Sequence, residues 1–355
     1  MTKQPISGHS FVRKNLFFFL GLFLTFSITL GIAELLLRLG KVYQTGFERN
    51  EGKYKSYYHS PYTTHYPVLP KRNGVISTPE FSYAVSVNQY GFRDRDWSVT
   101  KTNKQRIMVL GDSFVEGVGA PADSTWPALL QRMMNVDSPV VEVFNAGISG
   151  SDPVFQHRLF AHKLTVFSPD ILFMSINFSD LHDLITRGGD ERFLPDGRVA
   201  FSKGPDWEPL YRYSYLVRFV LHAILRYDFS LLSPGDYAQR CQQAIQEICR
   251  QATTLDAFCR LRHIRFALII HPYVDPYDAF IQRQDILLTA IPTLQQQGIS
   301  VVNLFPVFRQ KINKTNYKQY AWPVDKHFTA QGYSFFAQCV AGSLQQDTLW
   351  GAAEK

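Results

Sequence analysis

The chain is poor in the residues that build metal or redox centres. Among its 355 residues are four cysteines, Cys241, Cys249, Cys259 and Cys339, and no two of them form a Cys-x-x-Cys pair. A zinc site is therefore not expected. Cys241 and Cys249 fall on one helical pattern with a rise of about 12 Å between them, beyond disulfide reach. Buried thiols are the expectation, with a bridge through Cys259 or Cys339 left open in an oxidising compartment. Zinc-finger spacings and RNP-like signatures are also missing, so the net charge of +7 does not mark a nucleic-acid binder. Lys and Arg are spread thinly and are densest in 212–226 and 250–265. A solvated face explains this, and contact with anionic lipid or polysaccharide is the functional alternative. There is no internal repeat. With 45% hydrophobic and 19% charged residues, the composition is that of a folded globular chain.

Only one long apolar run is present. Residues 16–33 carry no charge, Glu34 interrupts, and Leu35, Leu36 and Leu37 continue to Arg38. This is the length of a bilayer-crossing helix. Bulky apolar side chains cover all its faces, which a core helix does not require. Lys3, Arg13 and Lys14 precede it and predict a cytoplasmic N-terminus with the remainder exported. The run continues past the small residues Gly31 and Ala33, which suits an uncleaved signal-anchor better than a cleaved signal peptide. The expected organisation is a cytoplasmic segment 1–15, a transmembrane anchor 16–37, a juxtamembrane segment 38–104, a main domain 105–345 and a tail 346–355. Within the juxtamembrane segment, 81–87 partly alternates like a strand, and 88–94 reads as a turn near the functional site.

The main domain is organised around 106–119, RIMVLGDSFVEGVG. A continuous apolar run closed by a glycine turn is the pattern of a buried parallel strand. Further strands are expected at 140–144, 171–176, 265–270 and 300–304, with helices at 126–134, 241–260, 281–297 and from Thr329 to about 344. Such alternation predicts a three-layer α/β fold with a parallel sheet of about five strands. Residues 184–237 interrupt it and read as an insertion, a candidate cover for the site. Ligands bind at the carboxyl ends of strands in such sheets, which is where Ser113 stands. A serine needs a base to become nucleophilic, and a histidine base needs an acceptor to fix its tautomer. His327 and Asp325, two apart in Asp325-Lys326-His327 before the last helix, supply both. His271, at the end of the fourth strand, is the rival base. Asp180, His182 and Asp183 read as a polar loop rather than as metal ligands.

Gly111-Asp112-Ser113, Asn145-Ala146-Gly147 and Asp325-Lys326-His327 together resemble the blocks of the SGNH hydrolases, also called the GDSL family of esterases and lipases. The resemblance covers 105–344. It implies a flavodoxin-like three-layer sheet and an acyl-transfer mechanism with Ser113 as nucleophile, His327 as base and Asp325 as its orienter. It also implies an oxyanion hole with Gly147 as a backbone donor. In the third block a serine, Ser179, stands where family members carry asparagine. Asn177, two residues earlier, is the expected donor and the Ser179 hydroxyl its competitor. The apolar anchor and the Asp-x-His spacing resemble a bacterial membrane-anchored branch whose members act on acyl esters of carbohydrates. The implied activity is a periplasmic serine esterase on O-acetyl-type esters, with an O-acyltransferase or a degenerate glycan-binding protein as alternatives. No cofactor, metal or nucleic-acid partner is expected. The α/β-hydrolase alternative lacks the second glycine of G-x-S-x-G.

Overall fold

Apolar runs without polar alternation become the five strands of one parallel sheet. The structure, a computed structural model, describes residues 8–58, 73–136, 140–278 and 281–346. In chain order the strands are β1 (Gly74–Ser77), β2 (Ser82–Val85), β3 (Gln105–Gly111), β4 (Val141–Gly147), β5 (Ile171–Ile176), β6 (Arg265–Ile270) and β7 (Ser300–Asn303). β1 and β2 form a separate antiparallel hairpin, and the large sheet has the order β4-β3-β5-β6-β7. From β3 the chain passes to β4 on one side and then to β5 on the other. The order therefore reverses between β3 and β5, and their carboxyl ends open the crevice where doubly wound folds bind ligands.

The chain divides into two units, 1–55 with 204–235 and 56–203 with 236–355. Residues 204–235, assigned from sequence to the main domain, thus fold with the N-terminal segment instead. That first unit contains α1 (Gly8–Leu39), α2 (Gly46–Glu51), α7 (Glu208–Tyr213) and α8 (Tyr215–Phe219). Within α1, Asn15–Leu39 is long and apolar enough to cross a membrane.

The second unit holds the sheet with α3 (Ser113–Glu116), α4 (Trp126–Met134), α5 (Pro153–Leu159), α6 (Phe178–Arg187), α9 (Pro234–Arg260), α10 (Ala290–Gln296), α11 (Phe305–Lys311), α12 (Tyr317–Tyr320) and α13 (Ala330–Gln346). Ile107, Val109, Ile171, Phe173, Ala267 and Ile269 face α4, α11 and α13, where Trp126 stacks on Phe336. The side chains between them serve the opposite layer: α5 crosses β3 and β5, and its extension meets α9 through Phe160 and Phe258. Residues 281–289 wind as a 3-10 segment before α10 rather than as part of one helix. All four cysteines are free, three of them buried.

Candidate active site

β3 ends at Asp112, whose side chain caps α3 by accepting from the Phe114 N–H. This brings Ser113 onto the first turn, half-buried, at the edge of the crevice. The turn lies so close to β4 that a Cβ at Gly147 would stand 2.2 Å from the Glu116 nitrogen. Only glycine fits there.

Ser113 Oγ lies 2.6 Å from His327 Nε2, and His327 Nδ1 lies 2.5 Å from Asp325 Oδ1. With the imidazole proton on Nδ1 and directed at Asp325, Nε2 presents its lone pair to the serine hydroxyl. Burial pushes the Asp325 carboxyl up, but the hydrogen bond and charge of His327 outweigh it and hold the group below its ordinary value. The His327 ring rests on Phe114, centroids 4.7 Å apart.

The loop that carries this pair is held from two sides. The Val324 and Asp325 N–H groups donate to the Glu80 carboxylate between β1 and β2. Lys326, between Asp325 and His327, has φ of 77° and donates through Nζ to Asp275 and to the Pro323 carbonyl. The left-handed kink lets Asp325 and His327, two residues of one short loop, meet each other and Ser113. On the serine side the buried Arg93 donates to the carbonyls of Glu116, Gly117 and Ala120. The 88–94 turn therefore braces the segment that follows Ser113.

The oxyanion side differs from the sequence expectation. The Gly147 N–H donates to Asn145 Oδ1 at 3.0 Å, so that donor is spent within its own strand end. Three residues on, Gly150 has φ of 74°, and its N–H has no partner among the described residues. Its loop is tied to the end of β3, where Gly111 O accepts from Ile148 N–H and Ser151 Oγ, and Arg187 donates to the Gly150 carbonyl. The Ser113 N–H is likewise unpartnered among the described residues. Asn177 is fully buried: it caps α6, accepts from the Ser179 N–H, and donates to Asp112 at 3.0 Å. Ser179 stays half-buried, with its hydroxyl 2.9 Å from Asp112 and 2.7 Å from Asn177 Oδ1.

The remaining candidates are occupied elsewhere. His271 is fully buried, in edge contact with Phe114, and burial lowers it to about 4 despite the nearby Asp112. Asp180, His182 and Asp183 belong to α6, not to a loop. Asp180 completes the α6 capping box, and Asp183 pairs with Arg187 while burial raises it to about 7. Among the described residues no group of three His, Cys, Asp or Glu is placed to hold a metal.

Sequence reading missed Glu80, Gly150 and Arg187, and placed Arg93 near the site only as part of the 88–94 turn. Gly150 alone left a trace, as a glycine in the loop between β4 and an Asp152-Pro153 helix start.

A family model, the GDSL-like Lipase/Acylhydrolase family, matches residues 109–335. No curated protein sequence matches. Solved structures resembling the fold include an α/β hydrolase from the metagenome of Lake Arreo, with 16% identity over 70% of this chain and 98% of that one, TM-score 0.44. The lipase/acylhydrolase of Enterococcus faecalis has 13% identity over 68% and 96%, TM-score 0.42. An acetylxylan esterase of Geobacillus stearothermophilus has 12% identity over 70% and 96%, TM-score 0.42.

Proposed function

Since the chain belongs to the GDSL-like lipase/acylhydrolase family and is an ester-hydrolysing enzyme, we propose that it works through Ser113, His327 and Asp325 on acyl esters of a carbohydrate, outside the cytoplasm. One observation carries the mechanism: an unbroken line of hydrogen bonds from the serine hydroxyl through the imidazole to the carboxylate.

Ser113 Oγ attacks the ester carbonyl while its proton passes to His327 Nε2, and Asp325 stabilises the imidazolium. The tetrahedral oxyanion is met by the Ser113 N–H, by the Gly150 N–H in place of that of Gly147, and by the Ser179 hydroxyl. The imidazolium then gives its proton to the departing alcohol. Water, activated by the same histidine, attacks the acyl-enzyme and releases the acid. Were a sugar hydroxyl to take the place of water, the product would be a new ester. Comparing free acid with acylated acceptor measures that partition.

α1 is the anchor of this reading. It would place the basic N-terminal residues on the cytoplasmic side and the chain that follows α1 on the other, supported by the 25-residue apolar span. A serine-directed phosphonate probe tests the mechanism: wild type should label and Ser113→Ala should not. Equal labelling of the two would reject Ser113 as nucleophile.

A further inference from the structure

The helical stretch of α7 and α8 buries charge and exposes apolar side chains. α8 runs on through a turn of π-helix, Val220–Ile224. Beside the buried Tyr215 and Leu221, its inward face carries charge and polarity: Arg218 is fully buried, paired with Glu48, and His222 is buried against Tyr211 and the Tyr227 carbonyl. The outward face is apolar. Leu210 is 62% exposed, Tyr213 67% and Ile224 62%, with Phe219, Val220 and Leu225 beside them. Helices on a water-facing surface show the opposite arrangement. Arg212 and Arg226 are exposed at the two ends of this stripe.

The stretch is also fastened to α1 at a defined depth. Glu34 accepts from the Tyr215 and Leu216 N–H groups and from Ser214 Oγ, so that a side chain of α1 caps α8. Arg38 donates to Glu34 and to the Tyr213 carbonyl. With Asn15 at one face of the hydrocarbon, Glu34 lies roughly 28 Å further along the helix, at the opposite face. The apolar stripe is thus tied to the level where the bilayer core meets the headgroups.

We propose that residues 207–226 form a second membrane contact, a monotopic element whose apolar face seats in the outer leaflet of a phospholipid bilayer, with Arg212 and Arg226 among the headgroup phosphates. This rests on the membrane-anchored reading of α1. The occupant is lipid, because the stripe is continuous with a helix whose own apolar side chains are exposed all round. A face of this kind sinks about 5–10 Å into the headgroup and acyl boundary.

The test uses the full chain with Cys339→Ser, reconstituted in phosphatidylcholine and phosphatidylglycerol vesicles and labelled with a small fluorophore at Ile224→Cys. The same label at Leu24→Cys, within α1, gives the lipid reference, and free dye gives the aqueous one. Retained esterase activity verifies the fold of each variant. The Ile224 label should be quenched by nitroxide lipid, and by aqueous iodide about fivefold less than free dye. Iodide quenching equal to that of free dye in vesicles that float with the chain overturns this proposal and leaves the anchor standing. Shielding from iodide without quenching by nitroxide lipid assigns the face to another protein surface and also overturns it. A chain extracted from the vesicles by alkaline carbonate sinks the anchor, and this proposal with it.

Discussion

In the proposed mechanism two neighbouring side chains compete for one role at the oxyanion, and their hydrogen bonds separate them. Asn177 is buried and committed to the α6 cap and to Asp112, whereas Ser179 keeps a half-exposed hydroxyl. Asn177→Ala should lower stability by about 1 kcal/mol, as loss of a cap does. Ser179→Ala should lower kcat by about 10–10²-fold with little change in KM, less than a fully committed donor supplies because its one proton is shared. Steady-state kinetics and thermal melting of the two variants check the division. His271 makes a separate prediction. Its folded value of about 4 lies below the ordinary 6.5, so the unfolded chain binds the extra proton between these two values. Stability should be complete above pH 6.5 and fall as the pH drops toward 4, by up to about 3 kcal/mol. Melting of His271→Phe over this range should show a shallower slope than wild type.

At the level of elements, the loop 323–328 is where precision is imposed. Glu80 holds its backbone, and the Lys326–Asp275 ion pair holds the kinked residue between Asp325 and His327. Breaking that pair should misalign His327 without touching substrate. Lys326→Met and Asp275→Asn should each lower kcat by about tenfold, and the double variant should be no worse than either. Additive losses, measured as a kinetic double-mutant cycle, would mean that the two residues act separately. The sequence marked this loop by its Asp-x-His spacing, but a positive φ at a lysine leaves no sequence signature. The clamp from Glu80 comes from a residue 245 positions away from Asp325, and nothing local to either end announces it.

Across the whole molecule, strands were more legible than connections. The runs at 171–176 and 265–270 coincide with β5 and β6 because continuous apolarity over six residues in this context has one solution. The three blocks of the site were legible for the same reason: each ends a strand or precedes a helix. The oxyanion donors were not. Whether the Gly147 N–H faces the crevice or Asn145 depends on a side-chain rotamer, and whether Asn177 donates to substrate or to Asp112 depends on helix capping. Residues 204–235 misled for a deeper reason. A Tyr- and Arg-rich helical pattern shows which positions share a face, but not that Arg218 and His222 point inward while Phe219, Val220, Ile224 and Leu225 stay exposed. That inversion also ties 204–235 to the N-terminal helix in one unit, with Glu34 as the fastening.

The fastening bears on how the protein can be cut for work in water. Clipping off residues 1–39 leaves the first amides of α8 without their carboxylate acceptor and leaves a greasy band on the surviving fragment. Such a fragment should still demand detergent, as sedimentation would reveal. A version that also bridges Lys203 to Asp236 with a short glycine linker should stay dispersed without it.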